Sequence, residues 1–230
     1  MIRQLSPAEV TDAPMAWPVV AHQVLSRGAV SDFVNDTVAT PGGATMERQY
    51  TLHPGAVGVI AWDDADRIAV VRQYRHPVGH QLVEPPAGLL DADGESWLSA
   101  AQRELAEEAQ LQALRWQVLV DLFTTPGANQ ESLRIYLATR LSAAPVPTDF
   151  AAEHEEADME VCWAARTDLV DAVLAGRLQN PTMVAGVLAL EVARLSGRLD
   201  DLREPDADWQ ARAVRDAHNS ALADVDGAVG

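Results

Sequence analysis

Residues Arg103-Glu104-Leu105-Ala106-Glu107-Glu108 set three carboxylates within five positions of a helix-forming stretch. An α-helix turns about 100° per residue. Leu98, Ala101, Leu105 and Ala109 then share one stripe, which reads as the buried face. Glu104 and Glu108 sit together at its edge, and Glu107 lies on the same side, farther toward solvent. Carboxylates at i and i+4 repel by a few tenths of a kcal/mol. The positions that could relieve Glu104 and Glu108 at that spacing hold Ala100 and Gln112; only Glu107 has a helical partner, Arg103. From the helix alone two readings are open. One is a solvated acidic face. The other is a divalent-cation site, because Mg²⁺ takes carboxylate oxygens while keeping waters and substrate phosphates.

The elements around the helix must position these groups. Pro85 and Pro86 fix an extended approach, and Gly88 permits a close one; a loop of this kind can aim the Ala87 carbonyl at a cation held by the helix. The helix itself should run from about Ser96 to Ala109. A second, more apolar helix reads from Thr182 to Gly197, with Pro181 at its start. The runs "AVGVIAW", "RIAVVRQY", "WQVLVDLF", "LRIYLATRL" and "DMEVCWA" read as strands. The Thr40-Pro41-Gly42-Gly43 turn marks a hairpin with no evident core of its own. Pro7, Pro14 and Pro18 make the first 30 or so residues irregular, and residues after about 203 read as a polar tail that Trp209 could anchor. Strands mixed with few helices predict an α/β (α+β) sandwich. Its parts are an N-terminal β region (1–50), a main domain (51–200) and a polar C-terminal tail (201–230).

Bulk properties narrow the chemistry. Apolar residues make up 48% of the 230, enough for a core, and the formal charge is −17, from 34 acidic and 17 basic residues. Such a surface repels nucleic acid and anionic lipid, so neither is an expected partner. A phosphate ligand needs a local device to overcome that field, a metal ion or a few placed arginines. The single cysteine, Cys162, excludes an intrachain disulfide framework and reads as a small buried hydrophobe in a strand. The N-terminus carries no signal pattern and no apolar run approaches a membrane span, so a cytoplasmic protein is expected.

Taken together, Gly88, Glu95 and Arg103-Glu104-Leu105-Ala106-Glu107-Glu108-Ala109-Gln110-Leu111 resemble the signature of the Nudix hydrolases over 24 positions. Two departures stand out. Six residues separate Gly88 from Glu95 where five is commonest, and Gln110 replaces the closing glycine, which leaves the helix C-terminus in question without removing a metal ligand. "VVRQYRHP", "VEPPAGLLD", "VLVDLFTTPG" and "HEEADMEV" are similar, in order, to segments of bacterial ADP-ribose pyrophosphatases, and Pro126 lies fifteen residues after Leu111, as in that subgroup. The resemblance spans about residues 33 to 195.

It implies an α/β/α sandwich with a mixed sheet and a Mg²⁺-dependent hydrolase (Mn²⁺ as a possible substitute) that splits ADP-ribose into AMP and ribose 5-phosphate. Glu104 and Glu108 would be principal metal ligands, with Glu107 assisting as a catalytic carboxylate and the Ala87 carbonyl completing the set. Arg103 would orient Glu95 or Glu107. The base would come from "EHEEADM", Glu155 first and Glu156 as its competitor. Arg75 and Arg48 would bind substrate phosphates, Glu84 the ribose side, and Pro126 would mark the substrate loop. Arg72 should point to the opposite face from Arg75. His53, His76, His80 and His154 read as local hydrogen-bonding groups. Trp17, Trp62 and Trp163 read as buried packing rather than adenine stacks. The N-terminal strands would exchange across a homodimer. The alternatives are another nucleoside diphosphate, such as a nucleotide sugar or dinucleotide, or a non-catalytic ADP-ribose-binding module; the survival of all three box glutamates counts against the module.

Overall fold

The computed structural model describes residues 2–90, 94–145 and 159–226, which form two compact units. One unit contains residues 53–126 and 131–207. Its strands are β4 (Ala56–Ala61), β5 (Arg67–Arg75), β6 (His80–Glu84), β7 (Ala87–Leu89), β8 (Leu111–Phe123), β9 (Ser132–Ala143) and β10 (Glu160–Ala165). They make two sheets, ordered β10-β5-β6 and β7-β4-β9-β8. The four-stranded sheet is mixed: β4 runs parallel to β9, while β7 and β8 run antiparallel to their neighbours.

Side-chain alternation along β4 explains the layering. Val57, Val59 and Ala61 face one core, with Trp116, Val118, Tyr136 and Ala138, against helix α1 (Trp97–Ala109) through Ala100, Ala101 and Leu105. Ile60 faces the other, with Leu119, Leu133, Ile135 and Leu137, against α2 (Arg166–Leu174) and α3 (Pro181–Leu195) through Leu169, Met183, Val187 and Leu190. This is the α/β/α sandwich expected. Gly58 serves the packing, since a methyl there would lie 2.3 Å from Thr182 Cγ2 at the start of α3.

Helix α1 begins where its sequence dictates: the Ser96 side chain accepts the Ser99 N–H at 3.1 Å. It ends at Gln110, whose left-handed backbone (φ 54°, ψ 37°) lets its N–H reach Ala106 and Leu105. Glutamine therefore does the glycine's conformational work, at a cost of ~1 kcal/mol or more.

The other unit contains residues 1–52, 127–130 and 208–230. The expected hairpin is β2 (Asp32–Ala39) and β3 (Thr45–Leu52), and β1 (Val19–Ser26) adds antiparallel to β2. β1 corrects the expectation of an irregular start, because every proline that interrupts the pattern precedes Val19. The unit also has buried residues where none was evident: Val34 is fully buried, and Asp36 is nearly so. Asp36 accepts from Tyr50 at 2.8 Å and bonds His22 Nδ1 at 2.5 Å, a polar row across all three strands. Burial, then Asp36, pushes the Tyr50 hydroxyl pKa well up. A second correction concerns the tail. Residues 210–226 form helix α4 (Gln210–Asp226), which packs on β1 and buries Leu222.

Candidate active site

Strand β7 and helix α1 meet where the glutamates cluster. Gly88 is extended and paired with Val57 of β4, and a methyl on it would stand 1.9 Å from Glu104 Oε1 and 2.0 Å from its Cδ. The glycine is required for space, because the Glu104 carboxylate occupies the place of its side chain. Glu104 is 9% exposed, deeper than a position at the edge of the buried stripe suggests.

Arg103 organises the cluster. Its Nε and Nη2 donate to the two Glu95 oxygens at 3.1 Å each, and its Nη1 donates to Glu104 at 2.6 Å and Glu107 at 3.2 Å. Glu95 first, with Glu104 behind it, raises the guanidinium pKa against the opposing effect of burial. The i±4 rule misses the contact to Glu104, which comes from the adjacent position; a long side chain bent back along the helix makes it. Glu108 is held differently, accepting the Ala87 N–H at 2.9 Å. The four carboxylates and one guanidinium carry a formal −3.

The donor set suits a hard divalent cation: carboxylates beside a backbone segment, three of them already gathered about one cation, the guanidinium. Among the described residues no three Asp, Glu, His or Cys side chains converge at ligand spacing. Glu95, Glu104 and Glu107 are instead disposed around Arg103, so a metal would take over or rearrange bonds that the guanidinium now makes.

Arg75 lies on β5, its Nη2 and Nε bonded to Glu84 at 2.7, 3.0 and 3.2 Å. Glu84 is only 2% exposed, so its carboxylate anchors Arg75 from beneath. Arg72 lies on the opposite face, tied to Glu160 and Gln81. Pro126 follows β8 and is exposed. Arg48 belongs to β3 of the other unit, exposed, with Nη1 on the Glu47 carbonyl. Glu155, Glu156 and His154 lie outside the described residues.

The remaining histidines make local bonds: His53 accepts the Gly55 N–H, His76 meets Tyr74, and His80 meets the Val78 carbonyl. The tryptophans divide. Trp62 packs into the α3-side core and donates to Asp66 at 2.9 Å. Trp17 and Trp163 are 37% and 41% exposed, which corrects the expectation of burial; Trp163 sits on the edge strand β10 under the Arg67 guanidinium, 4.9 Å from its ring. Cys162 on β10 packs against the α3-side core but is only half-buried rather than buried, and desolvation raises its thiol pKa.

Two residues matter that the sequence reading passed over. Arg166 bonds Asp66 through Nε and Nη2 at 2.8 Å each and also bonds Glu191, tying α2 to α3 and the β4–β5 turn. Arg134, buried within β9, bonds Asp121 at 2.7 and 3.0 Å and the Ala207 carbonyl at 2.8 Å, with Trp97 of α1 beneath it at 5.6 Å. An arginine amid apolar strand residues was the available signal in "SLRIYL".

Comparison with known proteins bears on the family and the fold. The NUDIX domain family matches residues 52–185. The chain is 46% identical over 174 residues to an ADP-ribose pyrophosphatase of Mycobacterium tuberculosis, covering 76% of this chain and 83% of that one. It is 32% identical over 153 residues to an ADP-ribose pyrophosphatase of Bacillus subtilis, covering 66% and 82%. Among solved structures, an ADP compounds hydrolase superposes with a TM-score of 0.67 at 18% identity, over 82% of this chain and all of that one, a likeness of fold.

Proposed function

The chain belongs to the Nudix family, and on that premise we propose that it hydrolyses ADP-ribose to AMP and ribose 5-phosphate with the help of Mg²⁺, for which Mn²⁺ can substitute. The observation that carries the reading is the acidic cluster of α1, packed against the glycine of β7 and ordered by one arginine. The choice of ADP-ribose draws on the two bacterial relatives and on Pro126 at its matching distance from the box.

Glu104, Glu107, Glu108 and the Ala87 carbonyl would hold the metal. Bound there, it would neutralise the diphosphate and acidify a coordinated water. The chain's own residues do the rest. Arg103 keeps Glu95, Glu104 and Glu107 in one arrangement. Arg75, braced by Glu84, offers a planar fork suited to phosphate oxygens, and Arg48 is proposed as the second such group. Glu155, with Glu156 beside it, takes the proton of the attacking water. Water adds to one phosphorus, the bridging P–O bond breaks, and both products leave as phosphomonoesters. A homodimer formed through the N-terminal strands belongs to the same reading.

The test is a hydrolysis panel of ADP-ribose, nucleotide sugars and dinucleotides, with Mg²⁺, with Mn²⁺ and with chelator. ADP-ribose should be the best substrate and chelator should abolish turnover. Cleavage of a nucleotide sugar with ADP-ribose untouched overturns the substrate; no cleavage at all returns the reading to a binding module.

A further inference from the structure

Residues 127–130 are the middle of the 124–131 connection between β8 and β9, yet by their contacts they belong to the unit of β1–β3 and α4. Their backbone continues the edge of β3. Thr51 donates its N–H to the Ala128 carbonyl at 3.1 Å, and Gln130 donates its N–H to the Thr51 carbonyl at 3.2 Å, a parallel bridge centred on Asn129. Burial holds only part of this loop, since 129 and 130 are half-buried. Residues 125–128 are exposed, and a methyl on Gly127 would meet nothing within 4 Å. Backbone hydrogen bonds therefore do much to set its place.

One of those bonds comes from α4. Arg215 Nη1 donates to the Gln130 carbonyl at 3.2 Å, while Nε and Nη2 bond Asp216 Oδ1 at 3.1 and 2.8 Å. Arg212 Nε bonds both oxygens of the same aspartate at 2.8 Å. The Arg215 side chain is only 10% exposed. Burial, and Arg212 next, weaken its hold on the proton, as a desolvated guanidinium requires. Taking such a group out of water is costly unless its donors find partners, and the Gln130 carbonyl is one of those partners. The loop begins one residue after Pro126, so the anchored carbonyl constrains the backbone on which that proline is presented.

We propose that Arg215 is a positioning residue: through the Gln130 carbonyl it fixes the 127–130 loop, and with it the backbone that follows Pro126, a residue that the resemblance implies binds substrate. The inference rests on the proposed function for its consequence, although not for the clamp itself. It also gives α4 a role, in a segment beyond the residues matched by the family.

Arg215→Met keeps the stem and removes the donors; Arg215→Lys keeps the charge with a shorter reach; Asp216→Asn loosens the anchor. Each is assayed by steady-state hydrolysis of ADP-ribose, thermal melting and hydrogen exchange. The Met variant should raise KM about three- to tenfold with kcat within about twofold, the pattern for lost binding without lost chemistry. It should also speed exchange at Thr51 and over 124–131. Lys should recover part of the KM, and Asp216→Asn should give a weaker form of the same change. An unchanged exchange rate overturns the clamp. A loosened loop with unchanged KM overturns its role in substrate binding, and so does a kcat that falls only with the folded fraction. If the Met variant does not fold, the Lys and Asn variants decide by the same criteria. If the wild-type chain cleaves no ADP-ribose, the proposed function fails, and exchange alone decides whether Arg215 holds the loop.

Discussion

Gly88→Ala separates a demand for space from a demand for flexibility. Gly88 is extended within β7 and does not adopt a left-handed backbone, so alanine can take its conformation. The difficulty is the added methyl, 1.9 Å from Glu104 Oε1, where ordinary contact begins at 3.4 Å. The carboxylate must retreat by the difference, about 1.5 Å, because β7 is pinned by its pairing with β4. That retreat breaks the 2.6 Å bond from Arg103, unless the guanidinium follows and gives up its two bonds to Glu95.

The consequences for stability and for activity differ in size. Overpacking costs ~1–3 kcal/mol. Here the clashing atoms end a flexible side chain, and alanine returns ~0.4–1 kcal/mol by restricting the unfolded chain. The net loss should be ~0–2 kcal/mol. Mg²⁺ binds oxygen at about 2.0–2.1 Å, so an oxygen displaced by 1.5 Å leaves its inner shell, and a misplacement of this order costs about 100-fold in rate. Turnover against Mg²⁺ concentration should therefore fall about 100-fold while the melting temperature moves only a few degrees. Adding Glu104→Asp withdraws the carboxylate by one C–C bond, about 1.5 Å, and should restore part of the melting temperature. A single variant within about threefold of the wild-type rate, or one whose activity falls only with the folded fraction, refutes the argument.

Glu108→Gln keeps an oxygen for the Ala87 N–H, so denaturant stability should hold within ~0.5 kcal/mol while kcat drops by about 100-fold or more; an unchanged rate removes Glu108 from the metal set. Gln110→Gly relieves a left-handed glutamine (φ 54°) and should stabilise by ~1 kcal/mol, seen as a melting temperature a few degrees higher; a lower one means the glutamine side chain contributes more than its backbone strain costs. Acid should weaken the Arg166 network. The Asp66 carboxyl is held below its usual range by the Arg166 hydrogen bonds, and that of Glu191 by Arg194 first. A depressed folded pKa adds stability above the unfolded value near ~4, lost as pH falls through the folded one. Asp66→Asn, which tolerates the φ of 59° there, should flatten the decline of urea midpoints below about pH 4; a slope equal to wild type would show that other carboxylates govern it.

What the sequence disclosed follows from how local each feature is. Helix α1 was legible because Ser96 caps it and its apolar stripe repeats every turn, and β4, β5 and β9 because strands buried on both faces read as continuous apolar runs. β7 is three residues behind two prolines, too short for any period to show. α4 was missed for a specific reason. Its described half-buried positions are Ala211, Arg212, Arg215, Asp216, His218 and Asn219, five of the six polar, so the face it turns inward looks like a solvated one. The pairs that brace the sandwich are also silent in one dimension: Asp66 and Arg166 stand 100 residues apart.

The repulsion between Glu104 and Glu108 has a structural answer that bears on function. The two carboxylates are drawn to different partners, one to the Arg103 guanidinium and the other to the Ala87 amide. Neither partner exhausts a carboxylate, which has about four acceptor sites. The Ala87 amide takes one acceptor site of Glu108 and fixes its orientation. Ala87 then acts on both sides, its N–H steering a ligand and its carbonyl serving as one in the proposed site. The sequence Pro-Pro-Ala-Gly is consequently constrained at every position: the prolines aim the strand, the alanine offers its backbone, and the glycine makes room for Glu104.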